Sequence, residues 1–350
     1  MKRLCLNIAF SVLFMLTGQS VVSGGAMAQN PDPDFFIFLG IGQSNMQGKG
    51  GIESQDTGNT TSFMKKAWAR YYKMVVVDND PSKVGTWVTA KPPIVRPDTG
   101  LGVTDYFGRT LVKGLDEKYK IGVLVVAVDG CSVRAFSKDK SVCSNYLNDS
   151  QTGSWVTGAA AQYGNYPYGK LVEMAKKAQK SGVIKGIIYH QGETDVTNAS
   201  ESQGNAWLAS VYELYSNLIN DLDLSMDSVP FIAGEPLRQE AGGVCYSAIP
   251  WVDRIPEYFR QQSSKDIAYV ASSEGLTGMD EYHFSSEGYR TIGKRYGDIM
   301  LPILMEQIAA NTILIPADRS DDMIYDLLGR RLDAPQKGIN IINGKKVIIR

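Results

Sequence analysis

Ser44, in the stretch Ile41-Gly42-Gln43-Ser44-Asn45-Met46, and His283, in Asp280-Glu281-Tyr282-His283, are the side chains best suited to act together on a carbonyl. A serine hydroxyl is a weak nucleophile until a base takes its proton, and an imidazole steadied by a carboxylate is a suitable base. Asp280 stands three residues before His283, so its carboxylate can accept the Nδ1 proton and leave Nε2 to face a serine. The chain has only two histidines, His190 and His283, which leaves few candidates for the base. Gly42 and Gly48 flank Ser44 and permit a sharp turn. The free N–H groups of a helix starting there would favour an anionic oxygen.

Two further blocks carry polar groups of the right kind. His190-Gln191-Gly192-Glu193-Thr194-Asp195 follows a strand-like run. Its Gln191 has an amide that could donate to a developing oxyanion. Glu193 could orient His283 or hold a neighbouring loop, and Asp195 reads as a helix cap. In Val128-Asp129-Gly130-Cys131-Ser132, Gly130 offers a backbone N–H with no Cβ in the way. Ser44 N–H, Gly130 N–H and the Gln191 amide would make three donors for one oxyanion. A zinc site built from His190, Glu193, Asp280 and His283 is the competing arrangement. It leaves the turn around Ser44 without a task.

The elements that would position these groups are legible as apolar runs. Phe35–Leu39, Val123–Val128, Ile184–Tyr189, Pro230–Ala233 and Ile267–Val270 lack clean alternation, as strands covered on both faces do. Between them Trp207, Leu208, Val211, Leu214, Tyr215, Leu218 and Ile219 recur at helical spacing, and so do Leu171, Val172, Met174, Ala175 and Ala178. Ser285 and Ser286 are expected to cap a last helix running to Ile299. Strand and helix in alternation predict a three-layer α/β domain. A serine just past the first strand then lies at the carboxyl end of a parallel sheet, where such folds place their sites. Residues 51–100, with some helix near Met64–Tyr72, and 141–168, with Trp155, Tyr163, Tyr166 and Tyr168, read as long connections that shape a binding site.

Residues 1–28 read as a signal peptide: Lys2 and Arg3, an apolar run from Leu4 to Leu16, and Ala26-Met27-Ala28 before Gln29. The expected location is therefore exported, and no later stretch is long and apolar enough for a membrane span. A net charge of -1 gives no general attraction for nucleic acid. Cys131, Cys143 and Cys245 follow the signal segment. A Cys131–Cys143 disulfide closing a short loop and three free thiols are both open. Residues 313–350 form a separate tail with short strands in Met323–Leu332 and Gly338–Ile349 and a hairpin turn at Asn343-Gly344.

Gly42-Gln43-Ser44-Asn45-Met46, Ala127-Val128-Asp129-Gly130, His190-Gln191-Gly192-Glu193-Thr194-Asp195 and Asp280-x-x-His283-Phe284-Ser285 occur in that order. Together they resemble the SGNH hydrolases, in particular the sialate O-acetylesterase-like group that includes the family 6 carbohydrate esterases. The resemblance covers roughly residues 34–310, within an esterase domain of residues 29–312. It implies a flavodoxin-like α/β/α sandwich with a five-stranded parallel sheet and a short C-terminal β appendage. It implies Ser44 as nucleophile, His283 as base and then acid, and Asp280 as its orienting carboxylate. Gly130 and Gln191 would join the Ser44 backbone in the oxyanion hole, and Glu193 would be a supporting acid. No cofactor or metal is implied. The tail text around Ile324 and Gly338 resembles sorting tails of type IX secretion.

The expected function is removal of O-acetyl groups from poly- or oligosaccharides, as in acetyl xylan esterases. The alternatives are a sialate O-acetylesterase, a lipase-like esterase and a non-catalytic glycan-binding protein on the same scaffold. Many relatives have Gly-Gly where this chain has Asp129-Gly130, and Thr or Ser at Cys131. A carboxylate at Asp129 argues against sialic acid, which carries its own.

Overall fold

Strand β1 (Phe35–Gly42) is buried at all eight residues. Its side chains divide by parity. Phe35, Ile37, Leu39 and Ile41 enter one core, and Phe36 and Phe38 enter another on the opposite face. A strand with both faces covered has no polar position to alternate with, which is why the sequence reads as one apolar run. In the computed structural model, residues 30–58, 61–310, 324–326, 329–342 and 345–349 are described. The expected signal peptide and the Asn343-Gly344 turn lie outside them.

Six strands join β1: β2 (Tyr71–Met74), β3 (Trp87–Thr89), β4 (Lys120–Ala127), β5 (Val183–His190), β6 (Phe231–Gly234) and β7 (Ala268–Ala271). Their order is β3-β2-β4-β1-β5-β6-β7, and every pairing is parallel except β2 with β3. All five predicted strands are present, and the sheet has seven strands rather than five. The extra pair lies in the connection 51–100. At four and three residues and partly exposed, with β3 at the sheet edge and β2 beside it, they are too short to leave a period in the sequence.

Helices Pro167–Ala178, Glu201–Asp221 and Ile255–Ser263 cover the face that receives Ile37 and Leu39. Helices Val103–Gly114 and Ser286–Ala310 cover the other. The result is the expected three-layer α/β/α arrangement. All seven apolar residues read as the buried stripe of Glu201–Asp221 are buried. Ser285 Oγ accepts from the Gly288 N–H at 3.0 Å and so caps the last helix. That helix continues past Ile299 to Ala310, with Pro302 inside it. The apolar packing of Tyr296, Met300 and Leu304 outweighs the missing proline N–H. The stretch 141–168, read as a long connection, contains helices Lys140–Leu147 and Ser154–Ala161.

The thiols of Cys131, Cys143 and Cys245 are free and buried. The Cys131–Cys143 disulfide does not form, because Cys143 Sγ is directed at the Ala135 carbonyl, 3.3 Å away. Near the C-terminus β8 (Ile324–Tyr325), β9 (Arg331–Leu332), β10 (Gly338–Ile342) and β11 (Lys345–Ile349) form an antiparallel sheet of order β11-β10-β8-β9. Ile324, Ile342 and Val347 are buried in a small core of its own. No helix among the described residues is long and apolar enough to cross a membrane.

One buried acid makes stability depend on pH. Asp105, fully buried in the first turn of Val103–Gly114, accepts the Gly102 N–H at 2.9 Å. Burial pushes its carboxyl up to about 7, against the Gly102 N–H and the Arg109 charge, which pull it down. An unfolded aspartate titrates near ~3.9, so the folded state keeps a proton that the unfolded chain has released. That contribution is complete below about pH 4 and is lost as pH rises through the folded value. Urea midpoints should therefore decline between about pH 4 and 7, and Asp105→Asn, which keeps the acceptor, should flatten the decline. An unchanged slope in the variant would assign the pH dependence to other groups.

Candidate active site

β1 leaves the sheet at Gly42 under a tight constraint. The Gln43 N–H donates to the His190 carbonyl at 3.0 Å, and a Cβ on Gly42 would lie 2.1 Å from that same oxygen. Only glycine permits this approach. The chain then turns into the short helix Ser44–Gln47, with Ser44 as its first residue and only 5 % exposed. Ser44 thus sits at the carboxyl end of β1, its N–H pointing out of the first turn.

The next residue ties three distant segments together. Asn45 is 1 % exposed. Its Nδ2 donates to Glu193 Oε1 at 2.9 Å and to the Tyr282 carbonyl at 3.1 Å, and its Oδ1 accepts from Tyr289 OH at 2.8 Å. The neighbour of Ser44 is thereby bonded to the neighbour of His283, across 237 residues of sequence. No charge marks Asn45 or Tyr289 in the sequence; Asn45 stands inside a quoted block, and Tyr289 stands outside them all.

His283 is carried by the loop after β7. The Met279 N–H donates to the His283 carbonyl at 2.9 Å, the Ser285 N–H donates to the Thr277 carbonyl at 2.8 Å, and Gly278 pairs with Phe284. Asp280 holds the ring: His283 Nδ1 lies 2.8 Å from Asp280 Oδ2, while Oδ1 accepts the N–H groups of Tyr282 and His283 at 2.8 and 2.7 Å. Partial burial would raise the Asp280 carboxyl, but the His283 ring and these two N–H groups outweigh it and hold it below the usual carboxylate range. An ionised acceptor on Nδ1 fixes the tautomer that leaves Nε2 bare for a proton.

The loop after β4 supplies Gly130, in left-handed backbone (φ +63°), with its carbonyl accepting Thr194 Oγ1 at 3.1 Å. The Val128 N–H donates to the Gly42 carbonyl at 3.0 Å, which sets this loop beside the turn that carries Ser44. Asp195 brackets the far side, accepting Ser132 Oγ at 2.6 Å and the Val133 N–H at 2.8 Å. It is a loop brace, not a helix cap. Burial pushes its carboxyl upward against these donors and Gln191.

Gln191 departs from the sequence expectation. Trp207 Nε1, which can only donate, gives its proton to Gln191 Oε1 at 3.0 Å, and Tyr189 OH bonds the same oxygen at 2.6 Å. That fixes which end of the amide is oxygen. Both protons on Nε2 are then used, one on the Cys131 carbonyl at 3.1 Å and one on Asp195. A buried amide with all its capacity filled is not available to a substrate oxyanion. Gln191 instead positions the Gly130–Cys131 loop.

Glu193, 7 % exposed, meets Asn45 rather than His283. His190 is fully buried. Tyr296 OH gives its one proton to the Tyr189 carbonyl at 2.6 Å, so His190 donates from Nδ1 to Tyr296 at 3.1 Å. Burial holds the His190 ring below the usual imidazole range. It is a neutral packing group, with Nε2 3.8 Å from Glu193 Oε1. The proposed zinc set is not assembled. Each ring's Nδ1 is committed elsewhere, and among the described residues no three His, Cys, Asp or Glu groups are spaced to share an ion. Asp129 is paired with Lys49, Nζ to Oδ2 at 2.5 Å, so its charge is balanced at the rim. Lys49 was not singled out in the sequence.

A doubly covered parallel sheet, with a serine after β1 and an Asp–His pair delivered after β7, is the architecture of a carbohydrate esterase. The family described as carbohydrate esterase, sialic acid-specific acetylesterase matches residues 34–302, and the chain belongs to it. It is a carbohydrate acetylesterase. A probable carbohydrate esterase of Arabidopsis thaliana is 26 % identical over 278 residues, spanning 76 % of this chain and 90 % of the plant protein. The X-ray structure of the Arabidopsis protein superimposes with a TM-score of 0.54 at 18 % identity, over 77 % of this chain and 99 % of that one. The crystal structure of NanS gives 0.52 at 14 %, over 79 % and 99 %.

Proposed function

We propose that this carbohydrate acetylesterase is an exported serine enzyme that removes O-acetyl groups from xylan-type polysaccharides through an acetyl-enzyme. Ser44 Oγ attacks the acetyl carbonyl carbon while His283 Nε2 takes its proton. Asp280 holds the resulting imidazolium through Nδ1. The N–H groups of Ser44 and Gly130 receive the oxyanion. The tetrahedral species collapses, the C–O bond to the sugar breaks, and His283 returns the proton to the leaving oxygen. Water, deprotonated by His283, then releases acetate and restores Ser44. Gln191 and Asp195 hold the Gly130 loop, and Glu193 and Asn45 hold the Ser44 turn.

The observation that carries this reading is the Asn45 amide bonded at once to Glu193 and to the Tyr282 carbonyl, which brings the segments of Ser44 and His283 together. Acetate release measured across acetylated xylan, acetylated pectin and O-acetylated sialic acid tests it, with xylan expected to be fastest. Sialate esters form the second reading, because Lys49 balances the Asp129 charge that would otherwise repel them. A strong preference for the sialate ester would replace the first reading with the second.

Export rests on Lys2, Arg3, the apolar run and Ala26-Met27-Ala28. Expressed with this segment in an exporting cell, the mature protein should begin at Gln29 by N-terminal sequencing. A cytoplasmic product beginning at Met1 would overturn the export reading. The tail is proposed as a sorting segment on its resemblance alone.

A further inference from the structure

We infer that Trp155 and Tyr282 are sugar-stacking platforms on opposite flanks of Ser44, so that the substrate is an acetylated sugar within a chain rather than a lone or terminal one. This rests on the esterase reading of Ser44 and adds the substrate's form. Trp155 is 64 % exposed, yet its ring is closely seated. A Cβ on Gly130 would lie 2.7 Å from Trp155 Nε1, and one on Gly153 would lie 2.5 Å from its six-membered ring. Two side-chain-free positions therefore allow the indole to sit close to the backbone, while most of the residue is left to solvent. One of those positions is the Gly130 of the proposed oxyanion hole.

Tyr282 is 47 % exposed, and its ring centroid lies 6.2 Å from that of His283. Its carbonyl is pinned to Asn45, so the ring is anchored at the base. The two rings are reached from strands on different sides of β1. Trp155 meets the loop after β4, which neighbours β1 on one flank, while Tyr282 belongs to the loop after β7, at the end of the other flank. About half or more of each residue stays in solvent, at the loops that carry Gly130 and His283, so that part of the ring contributes little to folding. An aromatic face carries negative potential and attracts the polarised C–H groups on the flat side of a pyranose ring. One platform suffices for a terminal sugar. Two, on either side of the nucleophile, fit a chain that continues in both directions.

The test compares acetylated xylose with acetylated xylo-oligosaccharides of increasing length, with 4-nitrophenyl acetate as the reference ester. In the wild type, kcat/KM should rise with chain length, and Trp155→Ala should lower the ratio of oligosaccharide to 4-nitrophenyl acetate kcat/KM by about tenfold. Tyr282→Ala should do the same. Deacetylated xylo-oligosaccharide should shift the tryptophan fluorescence of the wild type, a readout independent of turnover and of how any variant folds. An unchanged ratio in both variants, or a flat length series with silent fluorescence, would remove the platforms while leaving the esterase intact. If the wild type hydrolysed neither ester, the parent reading would fall instead.

Discussion

Ser44→Ala should lower kcat on 4-nitrophenyl acetate by about 10⁴- to 10⁶-fold, and His283→Ala should cost about as much. The double variant should be little worse than either, because a nucleophile and its base act as one unit. The argument starts from position. Ser44 opens a helix at the end of β1, and His283 is held on Nδ1 by an acid kept ionised by its donors. Losing either leaves the backbone N–H groups of Ser44 and Gly130, which account for the residual rate. The wild type should show a burst of 4-nitrophenolate equal to the enzyme concentration, absent in Ser44→Ala. A Ser44→Ala protein with undiminished turnover would end the serine mechanism and move the chemistry to another group.

Asn45→Ala should have the second largest effect, on stability and rate together. The substitution strands the Glu193 carboxylate and the Tyr289 hydroxyl, both buried, and frees the Tyr282 carbonyl. Leaving a buried hydrogen-bonding group without its partner costs about 1–3 kcal/mol, and more for a charged one. That is a large share of the roughly 5–15 kcal/mol that holds a typical domain together. A displacement of His283 relative to Ser44 by ~1 Å is enough to lose about 10² in rate. Urea midpoints and kcat, measured at a temperature where the variant remains folded, check both parts. If kcat fell while stability held, Asn45 would act on alignment alone. If neither moved, the tie between the two segments would have no functional weight.

How far the sequence could be read depended on whether the relevant force leaves a local pattern. Burial on both faces does, so the apolar runs from Phe35 to Val270 lie on the central sheet. A helical stripe also does, so Trp207 to Ile219 lie where spacing put them. Strands of three and four residues do not, and β2 and β3 were invisible inside a Gly- and Pro-rich connection. The last helix runs on past Ile299 and Pro302 to Ala310 because tertiary packing holds it, and that packing leaves no local pattern. The same limit applies to the site. The Asp280–His283 contact is local, three residues apart, and could be read directly. The task of Gln191 was not readable, because Trp207, Cys131 and Asp195 decide where its amide atoms point. Asn45 escaped notice for a similar reason, since its partners lie 148, 237 and 244 residues away.

The unpaired cysteines have a practical use. Cys131 adjoins Gly130, Cys143 lies in a neighbouring helix and Cys245 lies in the connection between β6 and β7. Burial raises all three above the usual thiol range, so in the native protein they should be poor targets for alkylating dyes. Each becomes reactive only when its surroundings open. Mass-resolved labelling over time would therefore separate breathing of the catalytic rim, reported by Cys131, from wholesale unfolding, in which all three react together.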